Sequence, residues 1–182
     1  GKSPPDQAWR YIYEVCDAMA WLHRHNLVHC NLKPRNVLIE DDQGSATKIT
    51  DALQGWIGGV HHFETTDHFM YIPPEQAEHP EALPTHGSQW DVYSFGVLAF
   101  RLLTGQFPRG AEAFADQVKR QDQSRGIVHV ADNAMILHAV RSQPAVRWPS
   151  RPTSKWDERR KLIIDKCLAI ELKDRWPDLR EV

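Results

Sequence analysis

The sequence predicts a mainly α-helical domain that carries one small β-hairpin. Three observations point there. Trp9, Ile12, Tyr13, Cys16, Met19 and Ala20 recur at helical spacing, and Val92, Phe95, Leu98, Ala99 and Leu102 repeat the pattern in a second long segment. Between these segments a short apolar run, 37–39, and a segment rich in β-branched residues, 47–50, flank turn residues as the two strands of a hairpin would. A chain of 182 residues is long enough to bury a core of its own as one domain.

Each element has a local reason. Ser3-Pro4-Pro5-Asp6 supplies a cap, a proline at the first helical position and an acid in the first turn, which opens a helix running to about His25. Val37-Leu38-Ile39 is a short strand, Asp41-Asp42-Gln43-Gly44 a hairpin turn, and Thr47-Lys48-Ile49-Thr50 the returning strand. Residues 51 to 75 are rich in Gly and His without periodicity, and read as a long, mobile loop. A strong helix spans 88 to 103, ended by Gly105 with Pro108 beyond it. A shorter surface helix is expected over 111 to 121. Residues 142–153 hold three prolines and read as irregular. A helix over 156 to 170 turns Ile163, Ile164, Cys167 and Leu168 inward, and another is expected to begin near Trp176-Pro177. With Gly1 first and a helical pattern at Glu181-Val182, the chain reads as a piece of a longer polypeptide.

Bulk properties narrow the function classes. A formal net charge of −2, with 25% charged and 41% hydrophobic residues, gives no electrostatic footprint for nucleic acid or an anionic membrane. No apolar run of the about 18 residues needed for a membrane span occurs. Three cysteines, Cys16, Cys30 and Cys167, are odd in number and far apart. They fit a reducing compartment, so the expected location is cytoplasmic, with a membrane anchor elsewhere in the full-length protein as the alternative. His61, His62 and His68 form the one histidine cluster; with no Cys or carboxylate at ligand spacing, they read as solvated loop residues rather than a metal site.

The chemistry-bearing residues fall into five groups. His29-Cys30-Asn31-Leu32-Lys33-Pro34-Arg35-Asn36 follows the first helix, and Asp51-Ala52-Leu53 stands at the end of the returning strand. Pro73-Pro74-Glu75 follows Tyr71. Trp90-Asp91-Val92-Tyr93-Ser94-Phe95-Gly96 leads into Leu102-Leu103-Thr104-Gly105-Gln106-Phe107-Pro108, and Lys173-Asp174-Arg175-Trp176-Pro177 lies near the end. In this order, over essentially the whole chain, they resemble the C-terminal lobe of the eukaryotic-type protein kinase fold. The first group is similar to the catalytic loop H-R-D-L-x-x-x-N, the second to D-F-G and the third to A-P-E. Aminoglycoside- and choline-kinase relatives share an H-x-D-x-x-x-x-N loop but lack the P-P-E and D-x-Y-S-F-G groups.

The resemblance assigns expected roles. Asn36 and Asp51 take the positions of the two Mg²⁺ ligands, and Asn36 alternatively bonds only the loop backbone. Lys33 stands where a lysine contacts the transferring phosphate, with a plain surface lysine as its other reading. Leu38 would face the nucleotide. His29 packs in the core, Asp91 braces the catalytic loop, and Glu75 pairs with Arg175. Asn31 occupies the position of the catalytic base, and a carboxamide has no useful basicity. Cys30 replaces an arginine that only a cation can imitate at a phosphorylated loop, and reads as a buried thiol. Ala52 and Leu53 replace the Phe and Gly of D-F-G, and His68 replaces a substrate-reading Thr or Ser. Thr65 and Thr66 are candidate phosphorylation sites without a ready arginine.

No Gly-rich phosphate loop, V-A-I-K-like lysine or partner glutamate is present; in the family these belong to an N-terminal lobe that this chain lacks. Mg²⁺ and ATP are therefore expected only when such a lobe is supplied, and none for this chain alone. The resemblance implies a pseudokinase that acts through protein partners, with no nucleic acid and no membrane segment. The alternative is an active serine/threonine kinase in which Asn31 is engineered or compensated. The tryptophans and the proline-rich 142–153 stretch could serve docking or simple packing.

Overall fold

A computed structural model describes residues 5–39, 47–52, 66–123, 133–143 and 145–182. Six α-helices and a two-stranded antiparallel sheet are seen among them: α1 (Pro5–Arg24), β1 (Val37–Ile39), β2 (Thr47–Ile49), α2 (Pro74–Glu78), α3 (Leu83–Thr104), α4 (Ala111–Gln123), α5 (Asn133–Ser142) and α6 (Lys155–Cys167). Short 3₁₀ turns at Pro34–Asn36, Thr66–Met70, Pro80–Ala82 and Leu172–Asp174 link them. The fold class is the mainly helical one expected, with the hairpin as its only sheet among the described residues.

Helix α1 ends on Asn26, whose φ of 57° is left-handed. The Asn26 N–H donates to the His23 carbonyl at 3.1 Å and the Leu27 N–H to the Leu22 carbonyl at 3.0 Å, so the orphan carbonyls are answered within the turn. This stop aims the chain at His29. The hairpin pairs Val37 with Ile49, Leu38 with Lys48 and Ile39 with Thr47, which sets Asp51 two residues beyond β2. Helix α6 opens on Ser154, whose hydroxyl accepts from the Asp157 N–H at 3.1 Å while the Asp157 carboxylate accepts from the Thr153 N–H at 2.8 Å.

Helix α3 is the axis of the fold. Every residue from Trp90 to Phe100 is buried, so it has core on all sides instead of one stripe. Ile12, Val15 and Met19 of α1, Ile136 and Val140 of α5, and Ile164 and Leu168 after α6's start join it in one core. At Gly96 a Cβ would sit 2.8 Å from the Cys167 Cβ, which marks how closely α3 and α6 approach. Gly105 closes α3 with φ of 75°, its N–H donating to the Arg101 carbonyl at 2.8 Å.

Several sequence expectations change. Helix α3 begins at Leu83, ahead of residue 88, with Pro84 in its first turn. Helix α5 was not foreseen. Within 51–75, Phe69, Met70, Tyr71 and Ile72 are core residues, and α2 starts at Pro74. Tyr13 lies half exposed, because Ala8, Ile12, Val15 and Met19 form the true buried stripe of α1. The helix expected at Trp176-Pro177 is absent: the Asp178 carboxylate accepts from the Arg180 N–H at 2.7 Å, a local bond that competes with a helical turn. The Ser3 cap, the 41–44 turn and residues 53–65 lie outside the described residues. Of the tryptophans, Trp90 is fully buried and Trp148 packs on Phe100 at 4.7 Å, while Trp156 is 70% exposed.

Candidate active site

The loop between α1 and β1 is held from below by one carboxylate. Asp91, fully buried on α3, accepts from the His29 N–H at 2.7 Å, the Cys30 N–H at 2.6 Å and His23 Nε2 at 3.0 Å. His23 Nδ1 accepts from the Leu179 N–H at 3.1 Å, which leaves the hydrogen on Nε2 and fixes the direction of its bond to Asp91. Three donors therefore converge on one buried charge, and charge-assisted bonds of this kind are about twice as strong as neutral ones. Cys30, with φ of 54°, takes a left-handed conformation that few non-glycine residues adopt, and the Asp91 bond to its N–H holds it there. Gln76 of α2 adds a bond from its Nε2 to the Cys30 carbonyl at 3.0 Å.

From this brace the chain turns into a ring of polar contacts. The Asn31 N–H donates to His29 Nδ1 at 3.2 Å, so His29 Nε2 carries the hydrogen and donates to the Thr50 carbonyl at 3.0 Å. Burial holds the His29 pKa below its ordinary value. Asn36 donates through Nδ2 to the Asn31 carbonyl at 2.8 Å, and the Asn31 Nδ2 donates to the Asp51 carbonyl at 3.2 Å. The Thr50 N–H donates to the Asn36 carbonyl at 2.9 Å. His29, Asn31, Asn36 and Asp51 are thus brought together, over a separation of about twenty residues in the chain, by one continuous set of hydrogen bonds.

What this arrangement can do follows from its donors and acceptors. Asn31 presents an amide donor toward Asp51, and nothing at that position can take a proton from a hydroxyl. Asn36 has its amide nitrogen committed to the loop, which leaves Oδ1 as the atom able to meet a cation; the two readings of Asn36 are therefore compatible. Asp51 follows Thr50 in left-handed geometry, φ 61°, with its side chain exposed. One carboxylate and one amide oxygen are hard donors, and Mg²⁺ is commonly held by one or two carboxylates together with substrate phosphates. The donor set fits that ion. Among the described residues no three His, Cys, Asp or Glu side chains gather as a metal site by themselves.

The remaining site residues lie around this ring. Glu75 and Arg175 meet at 2.7 Å, and Arg175 also donates to the carbonyls of Ala169 and Gln89 at 3.0 Å each and of Ile170 at 3.2 Å. Its guanidinium is wholly buried against the ring of Tyr93. Leu38 is half exposed on β1, and Lys33 is half-buried at the mouth of a separate cavity. Cys30 is buried, and burial raises its thiol pKa; Cys16 is pushed up to about 11 by burial and then by Asp17. Neither is a reactive thiolate. His68 is buried beside Phe69, at 5.8 Å between ring centres, so its reading as a solvated loop residue is corrected. His61 and His62, with Leu53 and Thr65, lie outside the described residues. His23 and Gln76 were missed by sequence reasoning, since a lone His at a helix end and a Gln in a short helix carry no distinguishing signal.

Comparison with known proteins agrees with this geometry. A model of the protein kinase domain family matches residues 1–179. The probable serine/threonine-protein kinase PknB of Lactococcus lactis is 34% identical over 183 residues, an alignment covering 97% of this chain and 25% of that protein. The probable serine/threonine-protein kinase CA_C1728 of Clostridium acetobutylicum is 25% identical over 150 residues, covering 76% and 22%. The chain thus spans about a quarter of the length of these curated relatives. Among solved structures, the Rad53 kinase domain and SCD2 in complex with AMPPNP superposes with a TM-score of 0.58 at 23% identity, over 100% of this chain and 58% of that one. That likeness establishes the fold. None of the described helices is long and apolar enough to cross a membrane.

Proposed function

This chain belongs to the protein kinase domain family, and on that premise we propose that it acts as a pseudokinase lobe, a kinase-fold module that works by binding protein partners and does not transfer phosphate. The observation that carries this reading is Asn31. The position of the base holds a neutral amide whose Nδ2 donates to the Asp51 carbonyl at 3.2 Å, and whose oxygen can orient a hydroxyl but cannot take its proton. General-base catalysis is worth about 10²–10⁴-fold. Its loss alone slows phosphoryl transfer without ending it, because positioning and metal ions dominate that reaction. The further departures at Cys30, Ala52, Leu53 and His68 add to it.

Asn36, Asp51 and Lys33 favour a residual role for Mg²⁺ and ATP in the complete protein. Asn36 Oδ1 and the Asp51 carboxylate would hold the ion, Lys33 would meet the phosphates, and Leu38 would line the nucleotide. Bound there, ATP would bring its phosphates and Mg²⁺ the charge that neutralises them. The same three residues support the second reading, an active serine/threonine kinase with Asn31 compensated. A phosphate-transfer assay on the full-length protein, before and after Asn31→Asp, separates the two. The pseudokinase reading expects no transfer to a generic protein substrate from either form. Turnover by the native protein, above that of an Asp51→Asn control, overturns it. Calorimetry with Mg²⁺ and ATP tests the nucleotide separately, and absence of heat or thermal stabilisation removes the cofactor role.

A further inference from the structure

Next to the ring of polar contacts lies a cavity of about 280 Å³, whose lining includes Lys33, Arg35, Tyr71, Leu98, Arg101 and Leu102. Three of these are cations from two different parts of the chain. Among the described residues none of the ion pairs engages Lys33, Arg35 or Arg101. Arg101 is nevertheless held in place. Its guanidinium donates to the Tyr71 hydroxyl and lies 4.2 Å from the ring centre of Phe107 and 5.6 Å from that of Tyr71. A planar guanidinium fixed by aromatic faces loses little further freedom when it meets a ligand, and most of its five N–H donors remain for one.

Three cations around a recess, with no carboxylate of the described residues paired to them, describe an anion site. The cavity is near the lower limit of small-ligand pockets, about 300–1,000 Å³. That leaves room for an oxyanion together with the stem that bears it. Leu98 and Leu102 offer apolar surface for such a stem. We infer that this pocket binds a phosphorylated serine or threonine side chain on a partner protein. The inference deepens the interaction reading, and rests on it only for the partner being a protein; the phosphate contact needs no nucleotide and no phosphate transfer.

The test titrates the chain with a short peptide containing phosphoserine, with the same peptide unphosphorylated, and with inorganic phosphate as competitor. The expected result is at least tenfold tighter binding of the phosphopeptide, displacement by phosphate, and weakening as salt rises. Arg35 is exposed, so Arg35→Gln is the cleanest variant. It should weaken phosphopeptide binding about tenfold, as loss of a charge-assisted contact does. Arg101→Gln should weaken it by at least as much, with its fold checked by circular dichroism. Equal affinity for the two peptides, or an unchanged affinity in Arg35→Gln, overturns the site. Phosphate binding that the peptide does not improve overturns the protein partner. Neither result bears on phosphate transfer, so failure here and failure of the pseudokinase reading are told apart.

Discussion

Replacing Asp91 by Asn tests the claim that one buried carboxylate organises the site. The side chains are nearly identical in shape, so packing is conserved and the change reports on hydrogen bonding. Asp91 accepts two bonds at Oδ2, from the His29 N–H at 2.7 Å and His23 Nε2 at 3.0 Å, and one at Oδ1, from the Cys30 N–H at 2.6 Å. Asn can offer its single oxygen to one side only. In the better orientation it keeps His29 and His23 and turns its own N–H groups onto the Cys30 donor. Stranding that buried N–H costs about 1–3 kcal/mol, and losing the charge from the other two bonds about 1 kcal/mol each. Relief of the buried charge offsets part of this. The expected loss is about 2–5 kcal/mol, a large share of the 5–15 kcal/mol typical of a domain. Urea denaturation followed by tryptophan fluorescence measures it, with the slope checked for constancy. A loss below about 1 kcal/mol would refute the reasoning, because it would mean that the three donors find other partners once Asp91 cannot serve them.

The other predictions use different parts of the fold. Arg175→Met should destabilise by about 3–5 kcal/mol by stranding Glu75 and three carbonyls, and Glu75→Gln by less, since Arg175 keeps those carbonyls; denaturation midpoints give the order. Gly96→Ala should cost about 1–3 kcal/mol, because its Cβ would meet the Cys167 Cβ at 2.8 Å, and thermal melts will show no loss if α3 and α6 separate easily. His29 gives a pH signature. Its folded pKa lies below the ordinary 6.5, first because of burial, so the unfolded chain takes up the proton before the folded one does. Its contribution is therefore present above pH 6.5 and fades as pH falls below it. The stability gap between the native protein and His29→Asn should shrink from pH 7.5 to about 5.5, and a constant gap would count against the buried ring.

Much of the fold was legible where a physical signal acts over a few residues. The hairpin, α4 and the core of α3 follow from apolar spacing and from Gly105, and the order of five motifs carried the family. The misses share a cause. Helix α5 has its stripe in Ile136, Leu137 and Val140, too short to stand out from surrounding polar residues until it packs on the 66–70 turn. Trp176-Pro177 has the form of a helix start, yet Arg175 is tied to four acceptors and Asp178 bonds its own neighbours, so tertiary demand overrides the local preference. In the site, the sequence named residues but not their wiring. His29, Asn31, Asn36 and Asp51 are connected chiefly through backbone groups, which have no letter in the sequence.

That wiring also bears on how a kinase-fold site tolerates Asn31. The brace uses the N–H groups of His29 and Cys30, and the Asn36 amide reaches the carbonyl of residue 31, so no contact that shapes the loop depends on the side chain at that position. The base position can therefore change without loss of the frame. Asn31 makes one bond that an aspartate could not make, from its Nδ2 to the Asp51 carbonyl at 3.2 Å. Asn31→Asp replaces this donor by a carboxylate facing a carbonyl oxygen. The variant should lose about 0.5–1.5 kcal/mol of stability at neutral pH, the worth of an ordinary hydrogen bond. It should recover part of that as acid protonates the new carboxyl and returns a donor to the same place. Denaturation of both proteins at pH 7 and at about pH 4 measures the difference. If Asn31→Asp is the more stable protein at pH 7, the carboxamide is no local adaptation, and the bond from Asn31 Nδ2 to the Asp51 carbonyl does not tie the two segments together as described.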